Sequence, residues 1–302
     1  MTETPFRSGF IAIIGKPNVG KSTLINALLG QKIAAVSLRP QTTRRRQLGI
    51  LTLPHAQIVF VDTPGFHKPL HRLGKFMVQE IEEALEGVDL ILFLVDLSQT
   101  PADEDCRLAA LLRQIRHPPP MFLGLNKLDL IPASELLARR AAYSDLLPAA
   151  APLAFSATRG DGRNKLVAAL IARLPVREPD FPEDQVTDFY ERDIAADLIR
   201  EACLYHLRDE VPHGVAARVD EYKERDGSGA YIAATIFVER ESHKGIAIGE
   251  GGAMLKKIGT TARQEIEAMS GRRVFLELRV KVAKGWRNDE SALRRFGYKT
   301  RK

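Results

Sequence analysis

The sequence predicts an α/β protein: a mostly parallel sheet covered by helices, followed by a smaller α+β domain. Three observations carry that prediction. Short apolar runs (FIAIIG, QIVFVDTPG, DLILFLVDL, MFLGLNKLD and PLAFSAT) alternate with polar loops and helical patterns through the first half of the chain, the rhythm of a parallel sheet with crossover helices. The first run enters I-G-K-P-N-V-G-K-S-T and continues into the helical STLINALLG. After the Pro-rich, acidic stretch LPVREPDFPEDQVTD the pattern changes to one helix, two strands, two helices and a strand. The expected division is residues 1–175 for the first domain, 176–190 for a linker and 191–302 for the second domain with its tail.

At 302 residues, 45% of them apolar and 27% charged, the chain has material for two ordinary cores. Its net charge of +6 is unevenly placed. Residues 1–175 hold 21 Lys and Arg against 15 Asp and Glu, residues 176–240 hold 8 against 16, and residues 241–302 hold 15 against 7. A basic segment behind an acidic one suggests a domain with polarised faces, one of them suited to a polyanion. Two cysteines, Cys106 and Cys203, lie far apart in helical patterns, which indicates neither a metal cluster nor a disulfide framework. The opening MTETPFRSGF has no basic segment ahead of an apolar core, and no apolar run reaches the roughly 20 residues that span a bilayer. A cytoplasmic protein is expected.

Taken in order, the first element is a phosphate-binding loop. The spacing G-x-x-x-x-G-K-S over residues 15–22 turns backbone N–H groups inward around a polyphosphate, at the positive end of the following helix. Candidate nucleotide contacts are Gly15, Lys16, Pro17, Asn18, Val19, Gly20, Lys21, Ser22 and Thr23, with Lys21 reaching the β- and γ-phosphates and Ser22 ligating Mg²⁺. The polar run VSLRPQTTRRRQ lies where a first switch loop belongs; Thr43 is the choice for a second Mg²⁺ hydroxyl, and Thr42 its rival. Arg44, Arg45 and Arg46 read either as a solvated cluster or as a partner or RNA contact.

The next strand ends in Asp62, Thr63, Pro64 and Gly65, where the carboxylate would hold Mg²⁺ through water and the Gly65 N–H would touch the γ-phosphate. Phe66 follows, and a phenyl ring cannot orient an attacking water by hydrogen bonding. Slow intrinsic hydrolysis is therefore expected. Asn18 could compensate by ligating a monovalent cation, K⁺, beside the β- and γ-phosphates. The candidate catalytic set is Lys21, Asn18, Thr43 and Gly65.

Guanine is selected further on. Asn126, Lys127 and Asp129 form N-K-L-D after the strand MFLGL, and a carboxylate there accepts from guanine N1 and N2. Adenine lacks that donor pair, and a site built on buried polar groups rejects an analogue that leaves them unpaired. Ser156, Ala157 and Thr158, after the last strand of the domain, would offer backbone N–H groups to guanine O6. The whole describes a P-loop GTPase domain.

In the second domain, IAIGEGGAMLKKIG carries G-x-x-G over residues 249–252 between two helical patterns. With the element order α-β-β-α-α-β this matches a type II KH domain, whose glycine loop lets a nucleic-acid backbone approach a groove for single-stranded bases. Candidate RNA contacts are Lys244, Gly245, Ile246, Ile248, Gly249, Glu250, Gly251, Gly252, Lys256, Lys257 and Arg263. The basic ones are assigned to phosphates, while Ile246, Ile248 and Ile258 read as core or groove wall.

Together G-K-P-N-V-G-K-S-T, Q-T-T-R, D-T-P-G, N-K-L-D, S-A-T, F-P-E-D and the C-terminal V-K-V-A-K-G-W-R-N-D-E-S-A-L-R-R-F-G-Y closely resemble the Era family of bacterial GTPases, over nearly the whole chain. The resemblance implies a GTP-hydrolysing factor in small (30S) ribosomal subunit assembly, binding GTP and GDP. It also implies a KH domain on single-stranded RNA near the 3′ end of small-subunit ribosomal RNA. A monomer, with some peripheral association with the inner membrane, is part of the same expectation. Era-like glycine loops often carry a central lysine, whereas Glu250 and Gly251 stand here, and a carboxylate facing phosphate repels it by about 1 kcal/mol at 4 Å in bulk water. The competing readings are a signalling switch whose C-terminal domain binds protein or membrane, and a metabolic ATPase or kinase, which N-K-L-D argues against.

Overall fold

A computed structural model describes residues 5–37, 39, 42–225 and 229–298, with the Arg225 side chain outside the described set. Leu38, Pro40 and Gln41 of the expected switch loop, and residues 226–228 of the expected turn, therefore lie outside the described residues. The chain divides into two compact units. The first comprises Met1–Gln31, Thr43–Lys68 and Met77–Asp188, the second Lys32–Thr42, Pro69–Phe76 and Phe189–Lys302.

The first unit is built on six strands: β1 (Arg7–Ile14), β2 (Gln47–Leu53), β3 (Ala56–Asp62), β4 (Leu90–Asp96), β5 (Met121–Asn126) and β6 (Ala151–Ala154), in the spatial order β2-β3-β1-β4-β5-β6. All neighbours are parallel except β2 and β3. Every residue of β3 and of β4 is buried, which is why their middles, IVFV and LILFLV, are apolar on both faces rather than alternating. Its helices are α1 (Lys21–Leu29), the part of α2 (Arg72–Ala84) from Met77 onward, α3 (Asp103–Arg113), α4 (Leu136–Ser144) and α5 (Arg163–Arg173).

Because β1, β3, β4 and β5 run the same way, their C-terminal ends share one edge of the sheet, where an open α/β fold places its ligand. Register sets Ile13 beside Asp62 and Asp96 beside Asn126. Segments far apart in sequence therefore meet there.

Strand β2 is not legible in the sequence reading. It follows the Arg-rich run and turns into β3 through Pro54 and His55, which carry no hairpin signature. The Pro-rich stretch expected as a linker is pinned along the first unit. Val186 accepts from the Ile50 N–H at 2.9 Å, Asp188 from the Leu48 N–H at 2.8 Å, and Phe181 from Gln57 at 2.8 Å.

The second unit contains α6 (Glu191–His206), β7 (Ala216–Arg225), β8 (Gly229–Val238), α7 (Glu241–Ile248), α8 (Ala253–Ser270), β9 (Arg273–Val282) and α9 (Glu290–Arg295). Its sheet has the order β7-β8-β9, antiparallel then parallel. Ile194, Leu198, Ile199 and Cys203 of α6 are buried at the helical spacing the sequence shows, against Ile232, Ile258 and Ile266. After β9 the chain folds back so that Trp286, fully buried, donates its indole N–H to the Gly214 carbonyl at 2.8 Å and packs on Phe296 and Tyr298.

Candidate functional site

The segment after β1 wraps the start of α1, with Gly20 as its N-cap in a left-handed conformation. Lys21 is buried, and its ammonium donates to the carbonyls of Gly15 and Lys16 at 3.1 and 3.2 Å. Burial pushes Lys21 down to about 8, opposed by the Asp62 carboxylate. An incoming polyphosphate would replace those carbonyls with stronger acceptors and restore the full charge. Asn18, exposed at φ 64°, and Pro17 form the outer rim of the loop, while Val19 is fully buried. Thr23 lies in the first turn of α1. The Lys16 side chain points away from Lys21, toward α3.

Ser22, Thr43 and Asp62 meet at the end of β3. Asp62 Oδ2 accepts from Ser22 at 2.7 Å and from Thr43 at 3.2 Å, and the two hydroxyls are 2.9 Å apart. Asp62 Oδ1 is buried without a hydrogen-bond partner among the described residues. Two hydroxyls and a spare carboxylate oxygen form the hard oxygen set that suits Mg²⁺. Of the two threonines weighed for this role, Thr43 is the one in this cluster. Thr63 anchors the turn by donating to the Ile13 carbonyl at 2.7 Å; Pro64 and Gly65 are buried, and the Phe66 N–H donates to the Gly15 carbonyl at 3.1 Å. The Phe66 ring packs into the apolar cluster of Phe93 and Leu108.

The base-binding side is organised by Asn126, which is buried. Its Nδ2 donates to the Val19 carbonyl at 2.7 Å, and its Oδ1 accepts from the Ala157 N–H at 2.9 Å. One side chain thus ties the phosphate loop, the end of β5 and the turn after β6. Asp129 Oδ1 is buried with no partner among the described residues, an acceptor suited to the guanine N1 and N2 donors.

Lys127 is held by an ion pair of 2.6 Å to Asp96 at the end of β4. Asp96 escaped the sequence reading because only sheet register brings it beside Asn126. Ser156, Ala157 and Thr158, expected to present backbone N–H groups to guanine O6, lie in the turn after β6, and two of those groups have acceptors within the chain. The Ser156 N–H donates to the Asp161 carbonyl at 2.8 Å, and the Ala157 N–H to Asn126.

In the second unit, Gly249, Gly251 and Gly252 hold φ of 73, 56 and 82°. A Cβ at Gly249 would stand 2.7 Å from Met254 Cβ, so the loop closes onto α8 only with glycine there. Beside it α8 and β9 wall an open groove of about 400 Å³, lined by Gly252, Leu255, Lys256, Arg263, Leu276 and Leu278 among others. Lys256 and Arg263 thus stand where a phosphate backbone could run, although Glu267 takes the Arg263 guanidinium at 3.2 Å.

Lys257 does not line the groove. It is exposed on the flank of α8 where His206 bonds Thr261 at 2.7 Å, and it helps depress the His206 pKa. Glu250, Gly245 and Ile246 are exposed, Lys244 and Ile248 half-buried, and Ile258 is in the core. Leu255, Leu276 and Leu278 were missed, since apolar groove walls and apolar core residues look alike in sequence.

Two protein families match the chain: 50S ribosome-binding GTPase over residues 10–127 and KH domain over residues 210–287. The GTPase Era of Geobacter metallireducens is 50% identical over 299 residues, covering 99% of this chain and 100% of the relative. That of Ruminiclostridium cellulolyticum is 47% identical over 297 residues, covering 98% and 99%. A crystal structure of Era in complex with MgGDPNP and nucleotides 1506–1542 of 16S ribosomal RNA superposes with a TM-score of 0.93 at 39% identity, covering 98% of this chain and 100% of that one. A single-substitution variant of Aquifex aeolicus Era bound to GDP·AlF4⁻ gives 0.92 at 39%, with the same coverage. With a guanine-nucleotide site in one unit, a glycine-loop groove in the other, and half of its residues shared end to end with a named member, the chain belongs to the Era family of GTPases.

Proposed function

We propose that this chain hydrolyses GTP to control when its second unit engages the 3′ region of small-subunit ribosomal RNA, as a factor in 30S subunit assembly. One observation carries the reading. A chain 39% identical over 98% of its length to a protein solved with both MgGDPNP and a 16S ribosomal RNA segment has a buried carboxylate oxygen with no hydrogen-bond partner among the described residues at Asp129, where the base would go, and at Asp62, where the metal would go.

The site residues are proposed to divide the work as follows. Asn126, Lys127 and Asp129 select guanine, with Ser156, Ala157 and Thr158 closing over its O6 edge. Gly15, Lys16, Pro17, Asn18, Val19, Gly20, Lys21, Ser22 and Thr23 cradle the phosphates. Ser22, Thr43 and Asp62 would hold Mg²⁺, which when bound neutralises charge on the β- and γ-phosphates. Lys21 lies within the same charge-stabilising set, and Gly65 offers its N–H to the γ-phosphate. Asn18, on the exposed rim, is the proposed ligand for K⁺; equal hydrolysis rates in sodium and potassium buffers would refute that role.

On the RNA side, Lys256, Arg263 and the glycine loop are assigned to the backbone, with Lys244, Gly245, Ile246 and Ile248 bordering it and Lys257 at its margin. We retain 1–175, 176–190 and 191–302 as the working domain division. Cytoplasmic work as a monomer, with peripheral attachment to the inner membrane surface, completes the reading; sedimentation and flotation with vesicles of bacterial lipids test those two parts. No helix among the described residues is long and apolar enough to cross a membrane.

The deciding experiment is binding of a labelled single strand from the 3′ end of 16S ribosomal RNA to the full chain with a GTP analogue and with GDP. Tighter binding with the analogue, weakening steeply with salt, is expected. Nucleotide-independent binding would remove the control, and no binding in either state would favour a signalling switch with a protein or membrane partner.

A further inference from the structure

We propose that Asp105 is a positioning residue for the phosphate-binding loop and that it acts through Lys16; the proposal rests on reading that loop as the GTP site. Lys16 is the second residue of the loop, and its two ends face opposite ways. Its carbonyl lies in the phosphate cradle, where it takes the Lys21 ammonium at 3.2 Å. Its side chain runs the other way and closes an ion pair of 2.8 Å with Asp105 Oδ2 in the first turn of α3.

Both partners are out of water, with side-chain exposures of 11% for Lys16 and 0% for Asp105. The same Oδ2 accepts the Ala102 N–H at 2.9 Å, which fixes the carboxylate to the start of α3. Oδ1 is buried without a partner among the described residues, so Lys16 supplies the one charged contact this carboxylate has among them.

A buried pair of this kind is weak as a source of net stability, because desolvation offsets most of the attraction. Its geometric consequence is stronger. Removing either partner strands a charge in the interior, so the loop's second residue is held to α3 as firmly as the core allows. The pair also keeps the Lys16 ammonium out of the cradle, leaving Lys21 as the loop lysine that faces Asp62. The nucleotide motif alone does not call for a charged residue at position 16, and nothing in that motif reaches α3.

A displaced loop loses contacts to the phosphates that GTP and GDP share, so affinity for both nucleotides should fall. Lys16→Met, Asp105→Asn and the double variant of the full chain would be compared with wild type by steady-state GTP hydrolysis with Mg²⁺ and by GDP titration. Asp105→Asn keeps an oxygen for the Ala102 N–H, so the start of α3 survives the change. Each single variant should raise the KM for GTP and the Kd for GDP by about tenfold or more.

The double variant should be no worse than the larger single, because both changes cut one link. Lys16→Arg, which restores the pair, should return KM to near the wild-type value, and it carries the test if a single variant fails to fold. Single variants that leave KM and Kd unchanged, effects that multiply in the double, a loss confined to kcat, or an Arg variant no better than Met would each overturn the proposal. A wild-type chain that binds neither nucleotide would instead overturn the reading of the loop.

Discussion

Replacing Asn126 with alanine should weaken guanine-nucleotide binding far more than the loss of one surface contact would suggest. The side chain makes two bonds with buried backbone: its Nδ2 donates to the Val19 carbonyl at 2.7 Å, and its Oδ1 accepts from the Ala157 N–H at 2.9 Å. Val19 is fully buried and Ala157 nearly so, which keeps water from substituting. Each stranded group costs about 1–3 kcal/mol, so the pair together is worth about 2–6 kcal/mol, or roughly 30-fold to 10⁴-fold in affinity if the loss falls on binding.

Asn126→Asp separates the two halves. It keeps the acceptor for Ala157 but sets a carboxylate oxygen against the Val19 carbonyl, so its effect on the phosphate loop should equal or exceed that of alanine. Competition of GDP against a fluorescent guanine nucleotide measures affinity, and thermal unfolding with and without saturating GDP separates binding from folding. A GDP affinity within about threefold of wild type for Asn126→Ala, with an unshifted midpoint, would refute the tie between base and phosphate loops.

Three further outcomes follow from other positions. Gly20→Ala should mimic Asn126→Ala, because a Cβ at Gly20 would stand 2.4 Å from Asn126 Nδ2 on a backbone of φ +99°; nucleotide affinity of the two variants, measured side by side, should fall together. Glu250→Lys should tighten single-stranded RNA binding and steepen its salt dependence, since it reverses a charge worth about 1 kcal/mol at 4 Å from a phosphate in bulk water. Unchanged affinity at low salt would place the Glu250 side chain away from RNA. Lys257→Met should raise the His206 pKa, which burial and then Lys257 hold below the ordinary histidine value. In the window between the lowered native value and the unfolded one, the unfolded chain binds more protons. His206 therefore subtracts stability as pH falls through that window, and the variant should lose less; chemical-shift titration of the ring, with unfolding midpoints on either side of the window, reads both.

Much of the nucleotide site was legible because it is built from short contiguous segments at strand ends. Residues 15–22, 62–65 and 126–129 each announce a chemistry through residue type and spacing, and a parallel sheet delivers all of them to one edge. What stayed hidden depends on residues that sheet register or helix packing brings together. Asp96 reads as an ordinary acid until β4 pairs with β5 and places it under Lys127. Asp105 sits in an acidic helix start, Asp103, Glu104 and Asp105, where all three look like N-terminal dipole partners. Packing alone sends the third of them to Lys16.

For the second unit, the order of elements and the glycine loop were sufficient to predict the fold, but not which lysine faces the groove. Lys256 and Lys257 are adjacent, and a helix turns successive side chains by about 100°, so one lines the groove and the other looks to His206. By itself, then, the sequence determined the chemistry on offer, a guanine-nucleotide site and a glycine-loop groove on one chain, because those signals are local and periodic. Only the tertiary structure decided which charges are paired, which carboxylate oxygens have no partner among the described residues, and that Lys16 of the phosphate loop pairs with Asp105, because burial and pairing arise from contacts between segments that sequence order keeps apart.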